Sequence, residues 1–340
     1  MRKLYKHLLV VGLILLMCCG VAGGLIYYRL NQNIIMNAPI LLTVNKNQSV
    51  ESVLDTLAQQ DVLTPEFIMK PLFKAYLKIS GKKMYAGSYK FEPIHTHLDV
   101  INALVNGMQN NMVKVTYPEG ITVRDFARIS AEKIGLDELE FLHLANSDSL
   151  RRARGIKSNN LDGYLFPATY IFFWKQTPED VLNTLLDEQE KIWKTQFAEK
   201  AKILGKSKQE VLTLASIVEA ETPCIEERPR VAGVYQNRIR IGMRLEADPT
   251  VQYALGQKKR LTYDDLKTDN PYNTYRYAGL PPGPINNPSK SSISAALTPE
   301  KHNYIFFVAV GDGSGRHNFA VNFSAHKQYV SKYRQNVKKK

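Results

Sequence analysis

Two glutamates near the middle of the chain, Glu219 and Glu221, have the chemistry of a candidate acid/base site. Ser207 and Glu210 form a capping box, which predicts that a helix begins here. One stripe of this helix is apolar and is predicted to pack on a core: Val211, Leu214, Ala215 and Val218. At about 100° per residue, Glu219 and Glu221 each lie about 80° from that stripe, on opposite sides. A partly desolvated carboxyl at such an edge suits proton donation, but periodicity does not choose between the two.

Polar residues downstream are of the kind that a sugar-binding groove uses. They are Asn237, Arg238, Asp248, Asn273 and Tyr275, followed by His317 and His326 near the end of the chain. Amide and hydroxyl groups hydrogen-bond to sugar hydroxyls, and aromatic rings pack on sugar faces. The alternative is that the two glutamates are not catalytic, lie on the exposed side of a surface helix and form ion pairs with Arg228, Arg230 or Arg238.

The chain has no pattern for a metal or a nucleotide cofactor. Only Cys224 lies outside the N-terminal apolar segment, so the globular part has no cysteine-based zinc spacing. The histidines lack metal-ligand spacing, and no glycine-rich phosphate loop is present. We therefore predict neither a metal nor a cofactor.

The length and charge of the chain narrow the class of protein. Its 340 residues suffice for two or three modest domains, each with a core of its own. Lys and Arg outnumber Asp and Glu by 45 to 32, which gives a net charge of +13. This charge indicates either binding to an anionic partner or a soluble, basic surface without such a partner. No nucleic-acid-binding signature is present, so nucleic acid is not a predicted partner.

The N-terminus carries an apolar segment, Leu8–Tyr28, without a residue that is charged at pH 7. As a helix it would be about 31 Å long, which is close to the hydrocarbon thickness of a bilayer. Three basic residues precede it and only Arg29 follows closely, which predicts a cytoplasmic N-terminus. The alternatives are a cleaved signal peptide or a lipoprotein signal, although Met17 before Cys18 does not fit the latter. We predict a retained single-pass anchor over residues 1–30.

The exported part reads as α+β, with a weak repeat of strand, helix, helix, strand at an offset of roughly 70–75 residues. The first copy comprises a strand at Ile40–Val44, a helix capped by Ser49, a helix from Pro65 and a strand at residues 86–91. The second comprises a strand at Val113–Tyr117, helices starting at Thr122 and Asp137, and a strand at Asp162–Phe166. Helices follow from Thr177 to about Ala254, then a loop at Pro271–Pro288. A hairpin ends the pattern, with strands at Tyr304–Val310 and at residues 319–323.

Several segments together resemble the YceG-like family of endolytic murein transglycosylases. They are Leu214–Thr222, Asn237–Ile239, Met243–Val251, Tyr272–Tyr275, Gly279–Ile285, Tyr304–Val308 with His317 and Phe319, and, upstream, Gly87–Tyr89 and Asp162–Pro167. The resemblance spans nearly the whole exported chain. The chain departs from the family pattern at five positions. It has Asp162 where Glu is usual, Ala168 where Asp is usual, Glu246 where Gln is usual, Ser289 where Gly is usual and Lys327 where Asn is usual.

The resemblance implies which glutamate is catalytic, and it implies a domain order. The catalytic residue would be Glu219, the first glutamate of its segment, with no metal or cofactor. Substrate-binding candidates are Glu221, Asn237, Arg238, Asp248, Asn273, Tyr275 and His326. A transmembrane anchor over 1–30 would precede a LysM-like module over 38–110 and a catalytic domain over 111–340. The expected reaction cleaves the bond between N-acetylmuramic acid and N-acetylglucosamine in nascent strands, leaving a 1,6-anhydro end and ending strand elongation.

The expected location is the inner (plasma) membrane, with the catalytic domain periplasmic or extracytoplasmic. The expected partners are peptidoglycan glycan strands and, because the anchor holds the site near the bilayer, peptidoglycan synthases. Two rival functions remain open: a non-catalytic scaffold that binds peptidoglycan, and a hydrolytic muramidase. A muramidase would need a second carboxylate close to Glu219, for which Glu246 and Asp248 are the candidates.

Overall fold

The computed structural model describes residues 2–36, 40–45, 48–85, 87–91, 93–106 and 112–338, and these form a mixed α+β chain, as predicted. The helices are α1 (Arg2–Leu30), α2 (Val50–Gln59), α3 (Glu66–Ser80), α4 (His97–Asn106), α5 (Val123–Ile134), α6 (Glu138–Ala145), α7 (Asp148–Ala153), α8 (Pro178–Ile192), α9 (Ala198–Ile203), α10 (Lys208–Glu221), α11 (Arg228–Arg240), α12 (Asp248–Leu255), α13 (Lys290–Leu297) and α14 (Phe323–Lys338). The strands are β1 (Asn33–Ile35), β2 (Ile40–Val44), β3 (Gly87–Phe91), β4 (Ile94–Thr96), β5 (Met112–Thr116), β6 (Thr169–Phe173), β7 (Phe306–Ala309) and β8 (His317–Ala320).

The chain divides into two compact units, and its sheets are all two-stranded in the described residues. Unit 1 comprises residues 1–113 and 171–176, and unit 2 comprises residues 114–170 and 177–340. The strand pairs are β1 with β4, β2 with β3, β5 with β6 and β7 with β8. The predicted domain boundaries at 38, 110 and 111, and Ala86 at the start of one predicted strand, fall outside the described residues.

Unit 1 begins with the apolar helix. Within α1, Val10–Leu30 is long and apolar enough to cross a membrane, and a signal sequence would meet the same criteria. The predicted order of strand, helix, helix, strand follows, as β2, α2, α3 and β3, and β2 pairs antiparallel with β3. Ser49 caps α2 by accepting a hydrogen bond from the Ser52 N–H, as predicted. Side chains from all four elements fill one core: Leu42, Leu54, Leu57, Phe73 and Tyr89 are buried there.

The second copy of this order follows along the chain, but one predicted strand is wrong. Thr122 forms a capping box at the start of α5, and Asp137 caps α6, as predicted. The segment Asp162–Phe166 is a turn instead of a strand, and the strand is β6. Gly163 has a left-handed φ of 84°. The N–H groups of Gly163 and Leu165 donate to Oδ1 of Asn287, at 2.8 and 3.0 Å, and not to a strand.

Helix α10 lies at the centre of unit 2, packed between α11 and α13. Every residue from 211 to 218 is buried, so this helix is enclosed on more sides than its apolar stripe predicted. The polar Ser216 is accommodated because its Oγ accepts from the Ile285 N–H at 3.0 Å. The loop that precedes α13 is therefore tied directly to the helix that carries Glu219.

The terminal hairpin is shorter than predicted. Strand β7 pairs antiparallel with β8, which ends at Ala320. Phe323 was expected in the strand but begins α14. The Asn322 side chain explains this, because its Oδ1 accepts from the Ala325 N–H at 2.9 Å and so starts a helix.

Candidate active site

Glu219 lies near the end of α10 as a buried, fully hydrogen-bonded carboxylate. Its side chain is 6% exposed. Oε1 accepts from Nη2 of Arg228 at 2.8 Å. Oε2 accepts from the backbone N–H and the Oγ hydroxyl of Ser289, at 2.9 and 2.5 Å. Pairing with Arg228 was the alternative prediction for a glutamate on a surface helix. The pair is present, but both of its side chains are buried.

Three helices bring these groups together. Arg228 is the first residue of α11 and is 5% exposed. Its Nη1 donates to Ser289 Oγ at 2.6 Å and also contacts Ser291 Oγ. Ser289 is the N-cap of α13, where its side chain accepts from the Ser292 N–H. The Ser289 hydroxyl therefore has two roles, because it caps α13 and donates to Glu219.

Glu219 lies on the wall of a cavity of about 1280 Å³. Its polar lining includes Glu119, Asp162, Tyr253 and Asn286. Pockets for compact small ligands are typically 300–1,000 Å³, so this cavity has room for more than one sugar unit. The arrangement presents a carboxylate to an extended, polar ligand.

The turn that follows β5 forms part of this wall and lies against Glu219. Gly120 has a left-handed φ of 75°, and a Cβ added there would lie 3.3 Å from Cγ of Glu219. The Gly120 N–H donates to the Asn287 carbonyl at 2.9 Å, and the Asn287 N–H donates to the Ile121 carbonyl at 2.9 Å. Glycine accepts this backbone conformation, in which other residues are strained, and it leaves room for Glu219.

The turn also carries Glu119, a carboxyl that is not among the residues predicted from the sequence. Its side chain is exposed at the cavity and has no hydrogen bond or ion pair with another described residue. Desolvation and the charge of Glu219 raise the pKa of Glu119, whereas Arg228 lowers it. A signal was available in the sequence, since the Pro118-Glu119-Gly120 turn directly follows a strand, where functional side chains are common.

Asp162, one of the departures from the family pattern, joins two helices at the cavity. Its Oδ1 accepts from the Val123 N–H at 2.8 Å, and its Oδ2 accepts from the Tyr253 hydroxyl at 2.7 Å. Burial raises the pKa of Asp162 to about 6. The Asp162 side chain therefore connects the first turn of α5 to α12.

The structure places Glu221 away from this cavity. Its Oε1 accepts from the Tyr235 hydroxyl at 2.6 Å. Burial raises the pKa of Glu221 to about 7, against the opposing effect of that hydrogen bond. Glu219 and Glu221 thus have separate partners, in agreement with the expected divergence of their side chains.

The other candidate binding residues do not line the Glu219 cavity either. Asn237 donates to the carbonyls of His302 and Tyr304, and Arg238 donates to the Ile305 and Leu245 carbonyls. Most of these partners are backbone carbonyls, in the segment before β7 and in the loop between α11 and α12. The contacts therefore connect α11 to these two segments.

The remaining candidates have similar local roles. The Tyr275 hydroxyl donates to Asp248 Oδ1 at 2.6 Å, and Asn273 donates to the Leu266 and Thr268 carbonyls. His326 stacks on Phe306 with ring centroids 5.1 Å apart, and burial lowers its pKa.

The two carboxylates considered for a hydrolytic mechanism, Glu246 and Asp248, are not on the cavity wall. Glu246 pairs instead with Arg238 at 3.3 Å. Ala168, another departure, only contributes its carbonyl, which accepts from the Tyr117 N–H at 3.0 Å. Within the described part of the chain, no group of three or more His, Cys, Asp and Glu side chains could hold a metal ion.

Comparison with known proteins identifies the family of the chain. The chain is 32% identical over 292 residues to the endolytic murein transglycosylase of Bacillus subtilis (strain 168), covering 80% of each protein. It is 29% identical over 295 residues to that of Streptococcus pneumoniae (strain D39), which covers 77% of this chain but only 53% of that protein. A YceG-like protein of Listeria monocytogenes, with a crystal structure at 2.6 Å, superposes with a TM-score of 0.60 at 29% identity, over 85% of this chain and 98% of that one. The YceG-like family model matches residues 42–332, and the chain therefore belongs to the YceG-like family.

Proposed function

We propose that this protein is an endolytic murein transglycosylase, a lyase of the bacterial cell wall. Membership of the YceG-like family supports the general activity. The observation that carries the proposal is Glu219 itself, a buried carboxylate on the wall of a cavity with room for more than one sugar unit. The proposed substrate bond joins N-acetylmuramic acid to N-acetylglucosamine in nascent strands. Its cleavage would leave a 1,6-anhydro end and terminate strand elongation.

In the proposed reaction Glu219 is the catalytic acid/base. Glu219 donates a proton to the glycosidic oxygen as the bond between that oxygen and C1 of the muramic acid breaks. The substrate's own acetamido group eases the positive charge that develops at C1. The 6-hydroxyl of the same sugar then attacks C1, and Glu219 accepts its proton. No water enters the product, which distinguishes this reaction from ordinary glycoside hydrolysis.

The hydrogen bonds of Glu219 position its carboxylate in the site. Arg228 and Ser289 hold the carboxylate in one orientation, with three donors on its two oxygens. Such fixed donors avoid reorganisation when charge develops nearby. Oxocarbenium-like charge at C1 would also be stabilised by the negative charge of Glu219.

We further propose the domain organisation and location. Residues 1–30 would be a cytoplasmic stub and membrane anchor, 38–110 a LysM-like module, and 111–340 the catalytic domain. The apolar Val10–Leu30 segment supports the anchor. The strand, helix, helix, strand order with antiparallel β2 and β3 supports the module. The anchor would hold the site outside the cytoplasm near emerging strands, where peptidoglycan synthases are the expected partners.

The activity is tested by digesting purified peptidoglycan with the full-length protein in detergent and identifying the products by mass spectrometry. The variants are Glu219→Gln and, as a matched control, Glu199→Gln, since Glu199 is exposed and has no hydrogen bond or ion pair in the described chain. We expect anhydro-ended products from the wild type and the control, and none from Glu219→Gln.

Two other results would contradict the proposal. Reducing-end products would establish a hydrolase, for which Glu119 would be the second carboxylate because it shares the cavity with Glu219. Binding to peptidoglycan without any product would favour the scaffold.

A further inference from the structure

The end of the chain is far more basic than the rest of it. Residues 313–340 include seven Lys or Arg residues and no Asp or Glu. They contribute 7 of the 13 net positive charges, whereas the rest of the chain has 38 Lys and Arg against 32 Asp and Glu. A block of like charges at the end of a chain is often an interaction segment for a partner of opposite charge. This segment therefore indicates an anionic partner.

The cations of this segment have no charged partner within the described part of the chain. The structure describes five of the seven, and all five are exposed: Arg316, Lys327, Lys332, Arg334 and Lys338. None of the five forms an ion pair with a described carboxylate. Their positive charge is therefore available to a partner outside the chain.

Three of the cations form one stripe along α14. At about 100° per residue, Lys327, Arg334 and Lys338 lie within about 40° of one another. His326 and Asn336 contact the hairpin, because His326 stacks on β7 and Nδ2 of Asn336 donates to the carbonyl that follows β7 at 2.7 Å. Both lie at least about 80° from every cation of the stripe. No residue of α14 is buried, so the stripe is accessible along the helix.

Exposed apolar side chains accompany this stripe. Phe323 is 58% exposed and lies about 40° from Lys327 around the helix. Val337, in the last turn, is 49% exposed. A helix that presents both cations and apolar side chains is typical of the interface of an anionic bilayer. The anionic peptides of peptidoglycan could also neutralise the cations, but they provide no hydrocarbon layer for Phe323 and Val337.

We propose that α14 and the basic residues after it bind the anionic phospholipid headgroups of the membrane that α1 crosses. This inference rests on the proposed membrane anchor and adds a second, reversible contact to it. Because the anchor keeps α14 on a chain that is already attached to the bilayer, the headgroups are present at a high effective concentration. Each Lys or Arg close to an anionic bilayer strengthens such binding by about fivefold, so the three cations of the stripe supply about 10²-fold.

The test places the full-length protein in lipid nanodiscs and measures hydrogen exchange of the α14 amides by mass spectrometry. One set of discs contains only zwitterionic phosphatidylcholine, and the other contains anionic phosphatidylglycerol. Bound headgroups suppress local unfolding of α14, so we expect its exchange in the anionic discs to be slower by at least about tenfold. Salt at about 1 M, where the Debye length is only about 3 Å, should remove the difference.

A triple variant and a matched control identify the cations responsible. Lys327→Gln/Arg334→Gln/Lys338→Gln should exchange at the same rate in both kinds of disc. The control variant changes the net charge by the same amount at three exposed lysines of unit 2 that have no ion pair with a described residue: Lys202→Gln/Lys206→Gln/Lys301→Gln. It should behave like the wild type. In zwitterionic discs all three proteins should show equal exchange of α14, which establishes that the helix is folded in each.

Three results would overturn the inference. Equal exchange of wild-type α14 in both kinds of disc would exclude the lipid contact and leave the anchor intact. Slower exchange in anionic discs that persists in the triple variant would show that the stripe is not responsible. Protection by soluble peptidoglycan fragments in zwitterionic discs, without protection by anionic lipid, would identify the glycan as the partner. Failure of the wild type to purify with either kind of disc would instead refute the proposed anchor, on which the inference rests.

Discussion

Replacing Arg228 by methionine leaves the Glu219 carboxylate buried without its cation. The two side chains are each 6% exposed and meet at 2.8 Å. Methionine occupies a similar space but donates no hydrogen bond, so Ser289 also loses the contact from Arg228 Nη1. The backbone and hydroxyl donors of Ser289 remain, but neither carries a positive charge.

The expected cost follows from the burial of this pair. Removing one partner of a buried ion pair costs about 3–5 kcal/mol, because the other charge stays desolvated. For a domain of 150–250 residues, each kcal/mol lowers the melting temperature by roughly 2–4 °C, so we expect a fall of about 6–20 °C. Glu219→Gln should cost a similar amount, since it leaves Arg228 uncompensated.

The double variant Arg228→Met/Glu219→Gln separates pairing from packing. Replacing both partners of a buried pair by neutral groups is often nearly neutral, so the double variant should be about 2–4 kcal/mol more stable than either single variant. Thermal and urea unfolding of all four proteins give the coupling free energy. A melting temperature for Arg228→Met within about 3 °C of the wild type, or purely additive losses, would refute the ion pair as described.

Three further predictions concern the surroundings of Glu219. Gly120→Ala places a Cβ 3.3 Å from Glu219 Cγ in a residue whose φ is 75°. The variant should lose more than about 1 kcal/mol of unfolding free energy in thermal unfolding, and its kcat should fall. An unchanged kcat would contradict the contact between Gly120 and Glu219. Ser289→Ala removes both a hydrogen bond to the Glu219 carboxylate and the N-cap of α13, so it should lower the free energy of unfolding in urea by about 2–4 kcal/mol. Ser289→Gly should lower it by about 1 kcal/mol less, because glycine is also a favourable N-cap residue. Glu221, with its pKa raised from 4.5 to about 7, keeps a proton that the unfolded chain releases. Wild-type stability should therefore fall relative to Glu221→Gln by at most about 3 kcal/mol between pH 4.5 and 7, and parallel pH curves would refute this.

Helix starts were predictable from the sequence because they depend on residues three positions apart. The caps at Ser49, Thr122 and Ser207 are all found in the structure. The strand predicted at Asp162–Phe166 failed because alternation alone does not reveal a distant partner. The side chain of Asn287 binds the backbone of that turn across 124 residues of sequence.

The candidate site shows the same limit. The helical periodicity predicted two candidate catalytic glutamates on one helix. Only the family resemblance indicated which of them, Glu219, is the expected catalytic residue. The groups around it come from distant parts of the chain: Ser289 lies 70 residues away in sequence and Glu119 lies 100 residues before it. Such contacts depend on how α10, α13 and the turn after β5 pack, and no local pattern encodes that packing.

The most direct test of the central claim is digestion of peptidoglycan in water enriched in oxygen-18, followed by mass spectrometry of the new chain ends. A transglycosylase closes the new end with the substrate's own 6-hydroxyl, so we predict anhydro ends without the label in wild-type digests and no new ends with Glu219→Gln. Reducing ends that carry one atom of oxygen-18 would contradict the account, because they would show that water, and not the 6-hydroxyl, attacks C1.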